Sequence, residues 1–382
     1  MLRSVGHRAS GQTGLVSSDV PRAPDGGIGL RCPLRELVWR ADVLDQAQTE
    51  PAVESNVRSH VVAVIVAYNI GDAIHRCFDS IKDQVGHVLI VDNGSDEATR
   101  RELNEIAASG STTLILNERN EGIARAFNQA VEWARSREFE WILTLDHDSE
   151  ATPGMVDKLA GVFAALEREG IHNAGVVGPN PFDENIQVFR QYRPRESGGK
   201  PLEEEEVISS GSLMPLRIFD VVGGFNEDLF VYCVDTEFCM RVVQRGFRVY
   251  VCPEAVLRHR EGSRKRHRYL WRHAFHDHYG KVARYYIARN TIYMLKRHPL
   301  DPREVLWLLH WNLKIHAKVL LYDQDRFSIL WYSLRGFIDG LRGKVGPLEF
   351  GDSAAQRTSS APSGERIEVH NEQGEGPRRN HG

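Results

Sequence analysis

VVAVIVAYN (61–69) and WILTLDHD (141–148) decide how this chain folds. Both are continuous apolar runs, and both stop abruptly on polar side chains. Such runs fit strands buried on both faces, as in a parallel sheet covered by helices. Two shorter runs of the same kind lie between them, HVLIVDNGS (87–95) and TLILN (113–117). The intervening segments carry apolar residues at helical spacing. These are Ile74, Cys77, Phe78 and Ile81 in the first, Leu103 and Ile106 in the second, and Ile123, Phe127, Ala130 and Trp133 in the third. Four strands alternating with three helices predict a doubly wound α/β fold with a mainly parallel central sheet. Ligands of such sheets bind beyond the carboxyl ends of the strands. Tyr68-Asn69, Asp92-Asn93, Asn117 and Asp146-His147-Asp148 all fall at such ends, so the pattern alone places a site there.

After Asp148 the pattern changes. Met155, Leu159, Phe163 and Leu166 mark a helix, AGVVGPN (174–180) follows, and a long polar loop carries EEEE (203–206). VISSGSLM (207–214) reads as a strand, DTEFCMRVVQRG (235–246) as a helix stopped by Gly246, and FRVYVCP (247–253) as a strand. Residues 264 to about 342 read as mainly helical. The Gly/Ser/Pro/Arg-rich stretch 1–58 predicts a disordered leader, and the polar stretch 346–382 a disordered tail. The folded part thus divides into an α/β domain over 59–263, which holds the strand-end site, and a basic, amphipathic helical region over 264–345.

The 382 residues suffice for one large α/β domain with an appendage. A formal net charge of -4 does not announce a polyanionic partner. The five cysteines form no C-x-x-C pair, and the chain opens without an apolar signal region. Both features predict reduced thiols in a cytoplasmic protein. No apolar run is long enough to span a bilayer.

Five sequence features carry candidate chemistry. Asp146 and Asp148, one residue apart at the end of a buried strand, can share a divalent cation with diphosphate oxygens, and hard oxygen ligands suit Mg²⁺ or Mn²⁺. Asp92-Asn93-Gly94-Ser95 offers a carboxylate and small polar groups to a base or ribose; read alone it is an Asn-Gly turn. N-x-G-x-A-x-A (120–126), with Asn120 and Gly122, opens a helix that either a ligand or packing can approach closely. Asp235 and Glu237 begin a helix, where one can serve as general base and the other complement the helix dipole. His259 in HREGS can complete the metal site or touch the diphosphate.

Taken together, AYN (67–69), VDNGS (91–95), NEGIARAFNQA (120–130), LDHDS (145–149), GGFNE (223–227), VDTEFCMR (234–241) and HREGS (259–263) resemble, in their order, the family 2 glycosyltransferases, and within them the bacterial rhamnosyltransferases. The resemblance implies the glycosyltransferase A (nucleotide-diphospho-sugar transferase) fold and an inverting, metal-dependent transfer. The donor it implies is a nucleoside-diphosphate sugar, with dTDP-rhamnose the first choice. The acceptor is a saccharide or a lipid-linked molecule used in surface polysaccharide or glycolipid synthesis. Tyr68, Asn69 and Asp92 would contact the nucleoside, with Asn93, Asn120 and Gly122 beside them. Asp146 and Asp148 would hold metal and diphosphate, Asp235 would be the base with Glu237 in support, and His259 would lie at the metal. LDHDS looks like the family's LDQDS form with His147 in place of Gln, and Val234 departs from the commoner E-D-x-D pattern.

Between Arg258 and Arg297 twelve Lys/Arg face only Glu261 and Asp277, with aromatics interleaved. No nucleic-acid recognition motif accompanies them, so an anionic lipid or a lipid-linked diphosphate is the expected partner. Arg284, Arg289 and Asn290 resemble the family's R-x-Y-Y-x-x-R-N segment and are candidates for the diphosphate or acceptor. Phe327, Leu330, Trp331, Leu334, Phe337, Ile338 and Leu341 form a stripe that fits a peripheral membrane helix, a helix on the core, or a homo-oligomer contact. A nucleotidyltransferase would carry a Gly-rich loop and a basic residue after the first strand, where AYNIGDAIH stands. A binding protein without catalysis would not need the carboxylates at 146, 148, 235 and 237.

Overall fold

A computed structural model of the protein describes residues 39–40, 56–108, 110, 112–189, 200–259, 264–269, 272–298 and 302–348. Most of the expected leader and tail lies outside these residues. Within the leader, Trp39–Arg40 forms a short strand paired with Val188–Phe189, and Asn56–Ser59 makes one helical turn.

The four expected strands form: β1 (Val61–Ala67), β2 (His87–Asp92), β3 (Thr112–Leu116) and β4 (Trp141–Asp146). They pair in parallel in the order β3-β2-β1-β4. Every residue of β1 is buried, and its side chains alternate between two cores. Val62, Val64 and Val66 join one core with α3 (Ile123–Arg135); Val61, Ala63 and Ile65 join the other with α1 (Ile74–Ile81) and α4 (Met155–Arg168). This is why the run needed no polar alternation. The helix between β2 and β3, α2 (Glu97–Ala108), buries Leu103 and Ile106 as the spacing implied.

Beyond β4 come β5 (Ser149–Ala151), β6 (Ala174–Asp183), β7 (Leu213–Pro215) and β8 (Arg248–His259). β7 runs antiparallel between β4 and β6, and β8 pairs with β6 in parallel and with β5 in antiparallel. The strand expected over 207–214 is shortened to Leu213–Pro215. Gly211 takes φ +80, and Ser209 to Ser212 close a turn against the end of β4, where Gly211 N donates to the Thr144 carbonyl.

The region expected to be mainly helical opens instead as a β-hairpin. β9 (Arg264–Tyr269) pairs with β10 (Arg272–Asp277) before the helices α6 (Lys281–Arg297), α7 (Pro302–Tyr322) and α8 (Arg326–Leu341). The strands are built from basic and histidine residues rather than apolar ones, so hydrophobic periodicity carried no signal for them. The helix preceding β8 is α5 (Val234–Gln244).

Candidate active site

The pairing register brings the strand ends to one rim. Asp92 sits opposite Ala67, and Asp146 opposite Val66. His147 Nδ1 lies 3.0 Å from the Val66 carbonyl, so position 147 anchors the turn back to β1 between the two aspartates. Ser149 pairs directly across from His259, and its Oγ lies 2.9 Å from His259 Nδ1. That hydroxyl is also 2.7 Å from Ser210 Oγ, which accepts from the Asp146 N–H at 3.0 Å. Two serines therefore link the aspartate turn to the histidine.

Asp146, Asp148 and His259 each offer a ligand atom, all within 4.8 Å of one another, and His259 Nδ1 is 3.6 Å from Asp148 Oδ1. Burial, then Asp148, then Asp235, pushes the Asp146 carboxyl up to about 8. Burial likewise raises Asp235, against the hydrogen bonds its first helical turn supplies. Clustered carboxylates that resist ionising together are a site short of positive charge, which two hard oxygen donors and an imidazole fit to a divalent cation.

Glu206, the last acid of the EEEE run, accepts from Thr236 Oγ1 at 2.7 Å and is pushed up to about 8 by burial and by Asp235. In the sequence this run reads as part of a polar loop. Its only local mark is that Glu206 directly precedes the buried Val207.

Glu237 faces another way. Two positions along a helix turn a side chain by about 200°. Its oxygens are taken by Arg241 at 2.9 to 3.0 Å and by Asn226 at 3.2 Å, and it is 3% exposed. Arg241 in turn donates to the Val222 and Gly224 carbonyls, so this pair holds the GGFNE turn under the helix.

On the nucleoside side, Asp92 is fully buried. It accepts from Ser95 N at 3.1 Å and from Arg100 Nε at 3.2 Å. Asn69, at φ +50, exchanges hydrogen bonds with Ser95 and Asp96, and half-buried Tyr68 stands beside it. Asn93 bonds Asn120 Oδ1 and the Gly122 carbonyl, and accepts from Glu121 N. Gly122 has φ +88, and a Cβ there would meet the Phe230 carbonyl oxygen at 2.6 Å. The close approach that calls for glycine is thus made by the chain's own 230 loop, and packing rather than a ligand explains it.

Arg289 and Asn290, which the resemblance offers to the diphosphate or acceptor, lie against the 230 loop. Both are buried. Arg289 donates to the carbonyls of Asp228 and Leu229, and Asn290 to those of Leu229, Val231 and Tyr232. Phe230, Tyr232 and Cys233 all have positive φ without being glycine, a costly path that needs such support. The segment ends just before Asp235, so these two residues support the loop that precedes it. Arg284 is also buried, donating to the Asp277 carbonyl and lying over the Tyr279 ring.

The mixed, mostly parallel α/β sheet, with an acidic rim at its strand ends and a carboxylate on a following helix, agrees with the expected glycosyltransferase A fold. Residues 62–221 match the glycosyl transferase family 2 model, and the chain is similar to bacterial rhamnosyltransferases. It is 28% identical over 307 residues to the dTDP-rhamnosyl transferase RfbF of Shigella flexneri, covering 76% of this chain and 98% of that one. It is 25% identical over 242 residues to the N-acetylglucosaminyl-diphospho-decaprenol L-rhamnosyltransferase of Mycobacterium tuberculosis, covering 52% and 76%. Among solved structures, a mannosyltransferase from Pyrobaculum calidifontis with GDP-Man and Mn²⁺ is 18% identical, at TM-score 0.45, covering 74% of this chain and 75% of that one.

Proposed function

We propose that this enzyme transfers rhamnose from dTDP-rhamnose, with inversion, to a saccharide or lipid-linked acceptor. The observation that carries the reading is the grouping of Asp146, Asp148 and His259, with ligand atoms within 4.8 Å of one another, at the rim of the sheet. The donor and acceptor classes rest on the names of the two rhamnosyltransferase relatives.

Asp146, Asp148 and His259 would hold Mg²⁺ or Mn²⁺, which when bound neutralises charge on the leaving nucleoside diphosphate. Tyr68, Asn69, Asp92 and the Asn93–Asn120 pair would frame the nucleoside. Asp235 takes the proton of the acceptor hydroxyl as its oxygen attacks the anomeric carbon from the face opposite the diphosphate. The bond to the diphosphate breaks, and the configuration inverts. The raised Asp235 carboxyl lies closer to neutrality, as a general base requires. Glu206, held by the Thr236 hydroxyl, would add to the negative charge around Asp235.

No helix among the described residues is long and apolar enough to cross a membrane. A peripheral position at the inner face of the cell membrane would bring the rim to a lipid-linked acceptor.

The test is a panel of nucleotide sugars with Mn²⁺, read as donor hydrolysis and transfer. dTDP-rhamnose should be turned over fastest. Asp235→Asn should lower kcat by about 10² to 10⁴ while calorimetric donor binding stays nearly intact. Unchanged turnover in that variant removes Asp235 as the base.

A further inference from the structure

The corner where the hairpin meets the C-terminal helices holds three imidazoles around one carboxylate. His276 Nε2 lies 2.7 Å from Asp323 Oδ2, and His278 Nδ1 is hydrogen-bonded to Asp323 Oδ1. His267 Nε2 lies 2.8 Å from His278 Nε2. His276 and Asp323 are buried. The hairpin register explains the grouping: Lys265 pairs with His276 and His267 with Ala274, so His267 and His276 are diagonal neighbours on one face. Tyr322 stacks on His267 at 4.3 Å, with its rings 22° apart, beside Asp323 in the chain.

We propose that His276, His278 and Asp323 form a second divalent-cation site, selective for Zn²⁺, with His267 as fourth ligand or as the partner that orients His278. The ligand atoms of the first three all lie within 4.8 Å of one another. A tetrahedral zinc with bonds of about 2.0 Å spaces its ligand atoms by about 3.3 Å, inside the range between the 2.7 Å contact and that bound. The donor set separates this site from the cleft. Two or three imidazoles with one carboxylate suit zinc, whereas Asp146 and Asp148 offer mainly hard oxygens. Arg284 lies close enough to Asp323 and Asp277 to offset their charge, so imidazole coordination rather than net negative charge would hold an ion there.

The ligands come from β10 and the residue just beyond it, and from the residue following α7. Zinc there would clamp the basic hairpin to the helices. β9 begins at Arg264, five residues on from His259, so the clamped hairpin follows the donor site closely in the chain.

The experiment uses tag-free, full-length protein stripped of metal, with zinc content read by elemental analysis and affinity by competition with a chromophoric chelator. Asp148→Ala/His259→Ala, which removes the cleft ligands, should still hold about one zinc per chain. In that background, His276→Ala and Asp323→Asn should each abolish the binding with an unchanged circular dichroism spectrum, and His267→Ala should weaken it by about 10- to 100-fold. Zinc should also slow proteolysis of the hairpin in the cleft-site variant. If that variant binds no zinc, or if zinc persists undiminished in His276→Ala and Asp323→Asn, the three imidazoles form only a hydrogen-bonded cluster and the proposal fails. The first of these readings does not depend on how the cluster variants fold.

Discussion

Asp146 shows how a single carboxyl links stability to function. Its ordinary value of 3.8 is raised to about 8 by burial and by Asp148 and Asp235. The folded protein without a cation therefore keeps a proton that the unfolded chain gives up. The stability this contributes is complete below about pH 4 and is lost as pH rises through about 8. Glu206 acts in the same sense. In chelator, the Tm should fall across this window. Mn²⁺ should raise the Tm more at pH 8 than at pH 5, because at the lower pH it must displace protons. An equal rise at both values would show that the cation does not bind these carboxylates. Asp146 and Asp148 were legible in the sequence because they end an apolar run. Glu206 was not, since in an acidic run no local feature distinguishes the residue that folds inward.

At the scale of elements, α8 presents an unusual division. It buries Ile329, Ser333, Gly336, Asp339 and Gly340, mostly small or polar, against α6. Tyr285 reaches Asp339 at 3.1 Å. A Cβ on Gly336 would stand 2.2 Å from the Tyr285 carbonyl oxygen, and one on Gly340 2.8 Å from that of Arg289. Gly336→Ala gains about 1 kcal/mol of helix propensity but forces two backbones apart at a cost of about 1–3 kcal/mol. The Tm should therefore fall, and because α6 carries Arg289 and Asn290, kcat should fall with it. A higher Tm would mean that the helices do not pack this closely. The helix itself was readable from its apolar stripe. That its other face is the buried one was not, because periodicity reports two faces without saying which finds a partner.

For the whole molecule, the consequence is an outward apolar surface. Phe327 is 78% exposed and Trp331 63%, and Leu334, Phe337 and Leu341 are also exposed, with Leu313, Leu320 and Leu321 of α7 adding to the exposed apolar residues. Arg326 and Arg342 flank the α8 stripe. Replacing Phe327, Trp331 and Phe337 by Ser removes three side chains worth about 1.5–3 kcal/mol each on burial. Co-sedimentation with anionic vesicles should drop by about tenfold or more. Unchanged sedimentation, with a dimer becoming a monomer, would assign the face to a second copy of the chain.

What the sequence by itself determined was the sheet and the rim where its site lies. Strands buried on both faces must be apolar throughout, so a polar residue ending one stands out wherever it occurs. Tertiary structure alone decided which polar residues meet. Glu206 reaches Thr236 across 30 positions, Ser149 reaches His259 across 110, and Asn290 holds carbonyls some 60 positions earlier. It also turned Glu237 away from Asp235 and gathered His276 and His278 around Asp323. Hydrogen bonds and ion pairs of this kind depend on distance and direction in space, and neither is encoded in the local pattern of apolar and polar residues that a strand or helix leaves behind.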